Sequence, residues 1–116
     1  MNHILHNIDG EQIAEIKANG TTIDSAQQFL EIIMNLPVDR IVIHKVNLHE
    51  TFFDLRSGLA GEILQKAVNY RIRLGIVGDY SGYESKSLRD FIYESNKSNK
   101  IVFVNTLDDA FRKLAT

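Results

Sequence analysis

Hydrophobic and polar positions alternate over two short runs near the start of the chain, His3 to Ile8 and Gln12 to Lys17, with Asp9-Gly10 between them. Period-two alternation marks a half-buried strand, and Asp-Gly suits the two positive-φ positions of a tight hairpin turn. The opening therefore predicts two antiparallel strands. After Asn19-Gly20 the spacing changes: Ala26, Phe29, Leu30 and Ile33 recur at helical intervals. Asp24 is the expected N-cap, with Gln27 three residues on as in a capping box. The helix must stop before Pro37, because the residue ahead of a proline is pushed out of the helical region.

Arg40 to Lys45 (RIVIHK) is rich in β-branched residues and predicts a buried strand. A loop follows from about Val46 to Arg56. A second helix then places Ala60, Ile63, Leu64, Ala67 and Val68 on one side. Arg73 to Val77 is the next buried strand, closed by Gly78-Asp79. A polar loop leads to a helix with Leu88, Phe91 and Ile92 inward, broken at Asn99. Lys100 to Val104 is the last strand. Thr106 caps the last helix, with Asp109 at the reciprocal position and Leu107, Ala110, Phe111 and Leu114 inward. The order is ββαβαβαβα. Strands alternating with helices imply right-handed crossovers and an α/β fold. The expected sheet is mostly parallel and five-stranded, with one antiparallel edge strand from the hairpin and four helices. Residues 1–116 form one domain on this reading.

The totals narrow the function. The chain of 116 residues is 44% hydrophobic and 24% charged with a formal net charge of −2, which supports a soluble core and gives no basic face for nucleic acid. Cysteine is absent, so disulfides, zinc thiolates and a thiol nucleophile are excluded. The opening MNHILHNIDG has neither the basic nor the apolar run of a leader, and no apolar run reaches 18 residues. A cytoplasmic protein without a membrane span is expected.

In open sheets of this class ligands collect outside the carboxyl ends of the parallel strands. His44, Lys45, His49, Glu50, Asp54, Arg56 and Asp79 belong to that edge. A His–Asp pair does general acid–base work and a lysine holds an anion, so His44, Lys45 and Asp79 form the candidate ligand set. No spacing among the histidines matches a metal motif, and Gly75, Gly78 and Gly82 lack the pattern of a phosphate loop. No catalytic, cofactor or metal residue is assigned.

The stretch HETFFDLRSGLAGEILQK, His49 to Lys66, carries a different surface. Adjacent Phe52 and Phe53 in a loop cannot easily both point into one core, which leaves two readings: one anchors the loop and the other stays partly exposed, or both fold under the loop as a small satellite cluster. Ser57 is the natural N-cap of the second helix, where its hydroxyl meets the positive end of the helix dipole. Gly58 and Gly61 leave backbone bare for close approach. The candidate interaction surface is therefore Phe52, Phe53, Arg56, Ser57, Gly58 and Gly61, with Asp79 and Tyr80 alongside.

Two resemblances follow. The block from Phe52 to Lys97, with the upstream Ile43-His44-Lys45, resembles an uncharacterised prokaryotic family, domain of unknown function 4180, over nearly the whole chain. That resemblance implies no activity and no catalytic residues. The element order, with Ser57-Gly58-Leu59 opening the second helix, also resembles the STAS domains of anti-sigma-factor antagonists. It implies a cytoplasmic protein-interaction module and a switch serine that maps to Ser57; the lack of a convincing catalytic motif adds the expectation that the chain is not an enzyme. The aspartate such domains carry two residues earlier is Leu55 here, with Asp54 one further back. The expected role is thus regulatory binding of another protein, with no nucleic acid, membrane or cofactor. Small-ligand binding or catalysis at the carboxyl edge is the alternative. A homodimer through the phenylalanine loop or the exposed edge strand is a further possibility.

Overall fold

The computed structural model describes residues 2–116. The chain runs β1 (Asn2–Ile8), β2 (Glu11–Lys17), α1 (Ala26–Met34), β3 (Arg40–His44), α2 (Leu59–Asn69), β4 (Arg73–Val77), α3 (Lys86–Ser98), β5 (Ile101–Val104) and α4 (Leu107–Leu114). This is the α/β order read from the sequence. The stretch between β3 and α2 is wound into three short 3₁₀ turns, Lys45–Asn47, Glu50–Phe53 and Leu55–Ser57.

Asp9 and Gly10 take φ of 53° and 86°, the conformation that lets a two-residue turn follow the twist of its strands. The hairpin pairs β1 with β2 antiparallel, from Ile8 opposite Glu11 to Asn2 opposite Lys17. All other pairings are parallel. The strands lie in the order β1-β2-β3-β4-β5, so each sits beside its chain neighbours. Right-handed crossovers that always step the same way put their helices on one face. That face is the larger core: Phe29 and Ile33 of α1, Leu59, Ala60 and Ile63 of α2, and Leu88 of α3 cover Ile16, Ile41, Ile43, Leu74, Ile76 and Phe103. Among the described residues the opposite face is covered by α4 alone, where Ala110 and Leu114 meet Ile13, Val42 and Val102.

Two details of the α4 face fix its geometry. A Cβ at Gly75 would lie 3.3 Å from both Ala110 Cβ and Leu114 Cδ1, so the bare glycine lets α4 settle onto β4. Beside it the Arg73 guanidinium donates to the carbonyls of Lys113 at 2.8 Å, Leu114 at 3.1 Å and Thr116 at 2.6 Å. The positive group thus takes up the orphan carbonyls at the negative end of that helix.

Several helix ends differ from the sequence reading. Ser25, not Asp24, caps α1, accepting the Gln28 N–H at 3.1 Å, while the Gln28 side chain accepts the Asp24 N–H at 2.6 Å. Cap and returning side chain thus both lie one residue on from Asp24 and Gln27, and the return bond goes to the residue before the cap. Thr106 caps α4 as expected, but the Asp109 carboxylate pairs with Arg112 along the helix. Val68 is 41% exposed, because the inward stripe of α2 is centred on Ala60, Ile63 and Ala67. Among the described residues no helix is long and apolar enough to cross a membrane.

Candidate functional site

The carboxyl ends of β3 and β4 meet the three 3₁₀ turns, and the residues predicted for a site gather here. They do not converge. His44 ends β3 on the α4 face, where its Nε2 lies 2.7 Å from Glu15 Oε2. Lys45 begins the first turn and leans the other way. Its stem passes over Gly78, where a Cβ would fall 2.5 Å from Lys45 Cβ. Its Nζ stands 4.7 Å from the centre of the Tyr83 ring and 5.6 Å from that of Phe53, within range of cation–π attraction. Asp79 is exposed and turned back on its own chain. Its Oδ1 accepts the Ser81 N–H at 2.9 Å, and that bond holds its carboxyl below the ordinary aspartate value. An open groove of about 610 Å³ touches His44, Lys45, Glu50 and Gly78; Asp79 is not part of its lining.

The strand order gives the physical reason. Open α/β sheets form a ligand crevice where neighbouring crossovers diverge to opposite faces. The order here never reverses, so the helices stay together and no cleft opens between them. The expected convergence of His44, Lys45 and Asp79 is therefore corrected.

Of the two readings of Phe52 and Phe53 the structure takes burial of both, and their place on the interaction surface is corrected. Their exposures are 1% and 5%, so neither offers itself to a partner. Phe52 and Phe53 meet edge to face with centroids 4.9 Å apart, and Phe53 stacks on Tyr83 at 5.1 Å. Tyr80 is half-buried against Phe103 at 5.5 Å and donates its hydroxyl to the Ile76 carbonyl at 2.6 Å. Burial pushes its phenol up from the ordinary value. The aromatic loop is an extension of the core.

What remains on the surface is the start of α2. Gly58, with φ of 82°, holds the N-cap position, a left-handed conformation that glycine adopts without strain. Ser57 stands one residue earlier than a cap should. Its hydroxyl donates to the Thr51 carbonyl at 2.6 Å and accepts the Leu59 N–H at 3.2 Å, so it ties the helix start to the aromatic turn. Asp54 accepts from Arg56 through main chain and side chain, both at 3.2 Å; that bond lowers the Asp54 carboxyl from its ordinary value. Gly61 is exposed, and a Cβ there would meet nothing within 4 Å.

A polar cluster that the sequence did not single out lies across β1, β2 and β3. Glu15 is only 3% exposed. Its Oε1 lies 2.9 Å from His6 Nε2, and its Oε2 lies 2.7 Å from His44 Nε2 and 3.7 Å from Lys17 Nζ. Burial pushes this carboxyl up, and the His44 and His6 hydrogen bonds with the Lys17 charge more than offset it, so it titrates below the ordinary value. The His6 ring also packs on Phe111 of α4 at 4.6 Å. The cluster carries a buried charge with matched partners and locks the hairpin to the parallel sheet.

A family profile described as a domain of unknown function (DUF4180) matches residues 8–114. The chain belongs to this family. The match runs from the end of β1 through the last residue of α4 and so takes in the carboxyl edge and Glu15, Lys17 and His44 of the polar cluster, while His6 precedes it. No curated protein and no solved structure matches the chain.

In this DUF4180 domain the parity of the first hairpin holds the clue to Glu15. Ile13, Glu15 and Lys17 share one side of β2, and the two-residue turn sets Ile4 opposite Glu15 with His6 two residues along. His44 has no such local marker: it reaches Glu15 only through the β2–β3 register, in which Glu15 lies beside Val42.

Proposed function

We propose that this DUF4180 domain is a regulatory protein-interaction module of the cytoplasm, and that it docks its partner on the start of α2, over Arg56, Ser57, Gly58 and Gly61, with Asp79 on the same edge. The observation that carries the reading is Gly61. Within a helix a glycine costs up to about 1 kcal/mol relative to alanine, and among the described residues nothing occupies the space a side chain would take. The bare backbone serves approach from outside. The resemblance of Ser57-Gly58-Leu59 and of the element order to STAS domains supports the same reading. Ser57 supplies the means of regulation: its hydroxyl is exposed, and loss of its donor would release the Thr51 tether while an added negative charge would sit by the α2 amides.

Gly61→Ala is expected to raise stability by about 0.5 kcal/mol, read as a higher urea midpoint. Gly61→Leu, folded by circular dichroism, is expected to lose the protein that the wild-type domain captures from cytoplasmic extract. Tyr93→Ala, altering an exposed residue of α3, should retain it. Equal capture by Gly61→Leu and wild type would sink the proposal.

A further inference from the structure

The two edges of the sheet are finished differently. On the β5 edge the Asn96 side chain takes the place of a strand: its Nδ2 donates to the Phe103 carbonyl at 3.3 Å and its Oδ1 accepts the Phe103 N–H at 2.7 Å. That amide pairs both outward main-chain groups of Phe103 and obstructs addition there. The β1 edge has no equivalent. Seven residues long, it carries no charged residue and no proline, and most of it is exposed. Ile4 and Leu5, one on each face, are 46% and 45% exposed.

The hairpin fixes which groups face outward. A two-residue turn makes Ile8 and Glu11 a hydrogen-bonded pair, and hydrogen-bonded pairs alternate along an antiparallel ladder. His6 with Ile13 and Ile4 with Glu15 are therefore bonded inward. His3, Leu5 and Asn7 aim their N–H and C=O away from β2. Among the described residues, no main-chain bond reaches these outward groups.

These three residues are spaced symmetrically about Leu5. We propose that β1 pairs antiparallel with β1 of a second copy of this chain, about a two-fold axis through Leu5 and perpendicular to the sheet. Such an axis keeps the faces of the two sheets in register, so paired positions must share parity. Leu5 then lies opposite Leu5 of the second copy, His3 opposite Asn7, and Ile4 opposite His6. The pairing satisfies every outward group with about six hydrogen bonds, more than either register centred one residue away. It places Leu5 against Leu5 on the α1 face and Ile4 against the His6 ring on the α4 face. A strand without formal charge meets itself without repulsion, which singles out a second copy as the occupant. The proposal is independent of docking at α2, which lies on the carboxyl edge.

The absence of native cysteine makes the register directly testable. Leu5→Cys would set two thiols on residues whose Cα atoms are about 5.5 Å apart, within disulfide reach. His3→Cys lies on the same face, but its two copies are offset by four residues, about 13 Å along the strand. In sedimentation equilibrium the wild type is expected at twice the 13.2 kDa chain mass. Under mild oxidation Leu5→Cys should run as a linked dimer on a non-reducing gel and His3→Cys should not. Leu5→Pro removes only an outward N–H and should give a folded monomer. A wild type that stays monomeric at about 100 µM, well above a micromolar Kd, overturns the proposal. So do equal linking of the two cysteine variants and a dimer that survives Leu5→Pro with the fold intact.

Discussion

Phe53→Ala is expected to lower the stability of the domain by about 3–4 kcal/mol, the usual cost of emptying a buried phenylalanine site. The ring is 5% exposed and lies against Phe52, Tyr83 and the Lys45 ammonium. Its loss leaves a cavity under the second 3₁₀ turn and removes one of the two rings facing Lys45. Phe53→Leu should cost less, since it restores part of the volume but none of the aromatic geometry, itself worth about 0.5–1.5 kcal/mol per pair. Urea unfolding at neutral pH reads both. A Phe53→Ala loss below about 1 kcal/mol would contradict the buried-cluster account. The same reasoning disqualifies Phe53→Ala as a probe of docking, because lost binding would report a loosened core. Gly61 and Ser57 are the informative positions.

Glu15→Ala should cost about 3 kcal/mol at pH 7, since it strands the His6 and His44 rings and the neighbouring Lys17 without their shared acceptor. The pH dependence has a definite sign. The folded carboxyl titrates below the ordinary value of 4.5, so the folded state binds this proton less readily than the unfolded chain. The stabilisation is complete above the unfolded value and is lost as pH falls through the folded one. Glu15→Gln keeps the shape and removes the titration. The stability gap between wild type and Glu15→Gln is therefore expected to be constant near neutrality and to close below about pH 4.5. A gap that stays constant to pH 3 would show that the carboxylate charge is not what the histidines hold.

The fold was legible because local chemistry and hydrophobic period agree along the chain. Asp9-Gly10 demanded a hairpin, Pro37 and Asn99 ended helices, and the β-branched run at Arg40–His44 had to be buried. The site was less legible, for two reasons. The adjacency of Phe52 and Phe53 left two readings open, because in an extended stretch successive side chains point oppositely. In a 3₁₀ turn they are separated by about 120°, and two neighbours reach one core. Ser57 was read as the cap because serine is the better cap by composition, whereas the left-handed Gly58 moves that position on by one residue. Glu15 was not singled out. Its burial depends on His44, 29 residues away, and on a parallel register that no local pattern encodes.

The uninterrupted order of the strands also bears on how the chain assembles. Each parallel strand adds beside the one made just before it, so no strand must be inserted between two already paired, and loop closure remains short at every step. In chain order the hairpin comes first, and the strands and helices of the α1, α2 and α3 layer follow in turn. The face under α4 is finished last. Until Leu107–Leu114 arrives, Ile13, Val42 and Val102 stand open, and Arg73 has none of the three carbonyls that later receive it. Without that helix the sheet has one closed side and one bare apolar side, and the final eight-residue element is the latch that covers it.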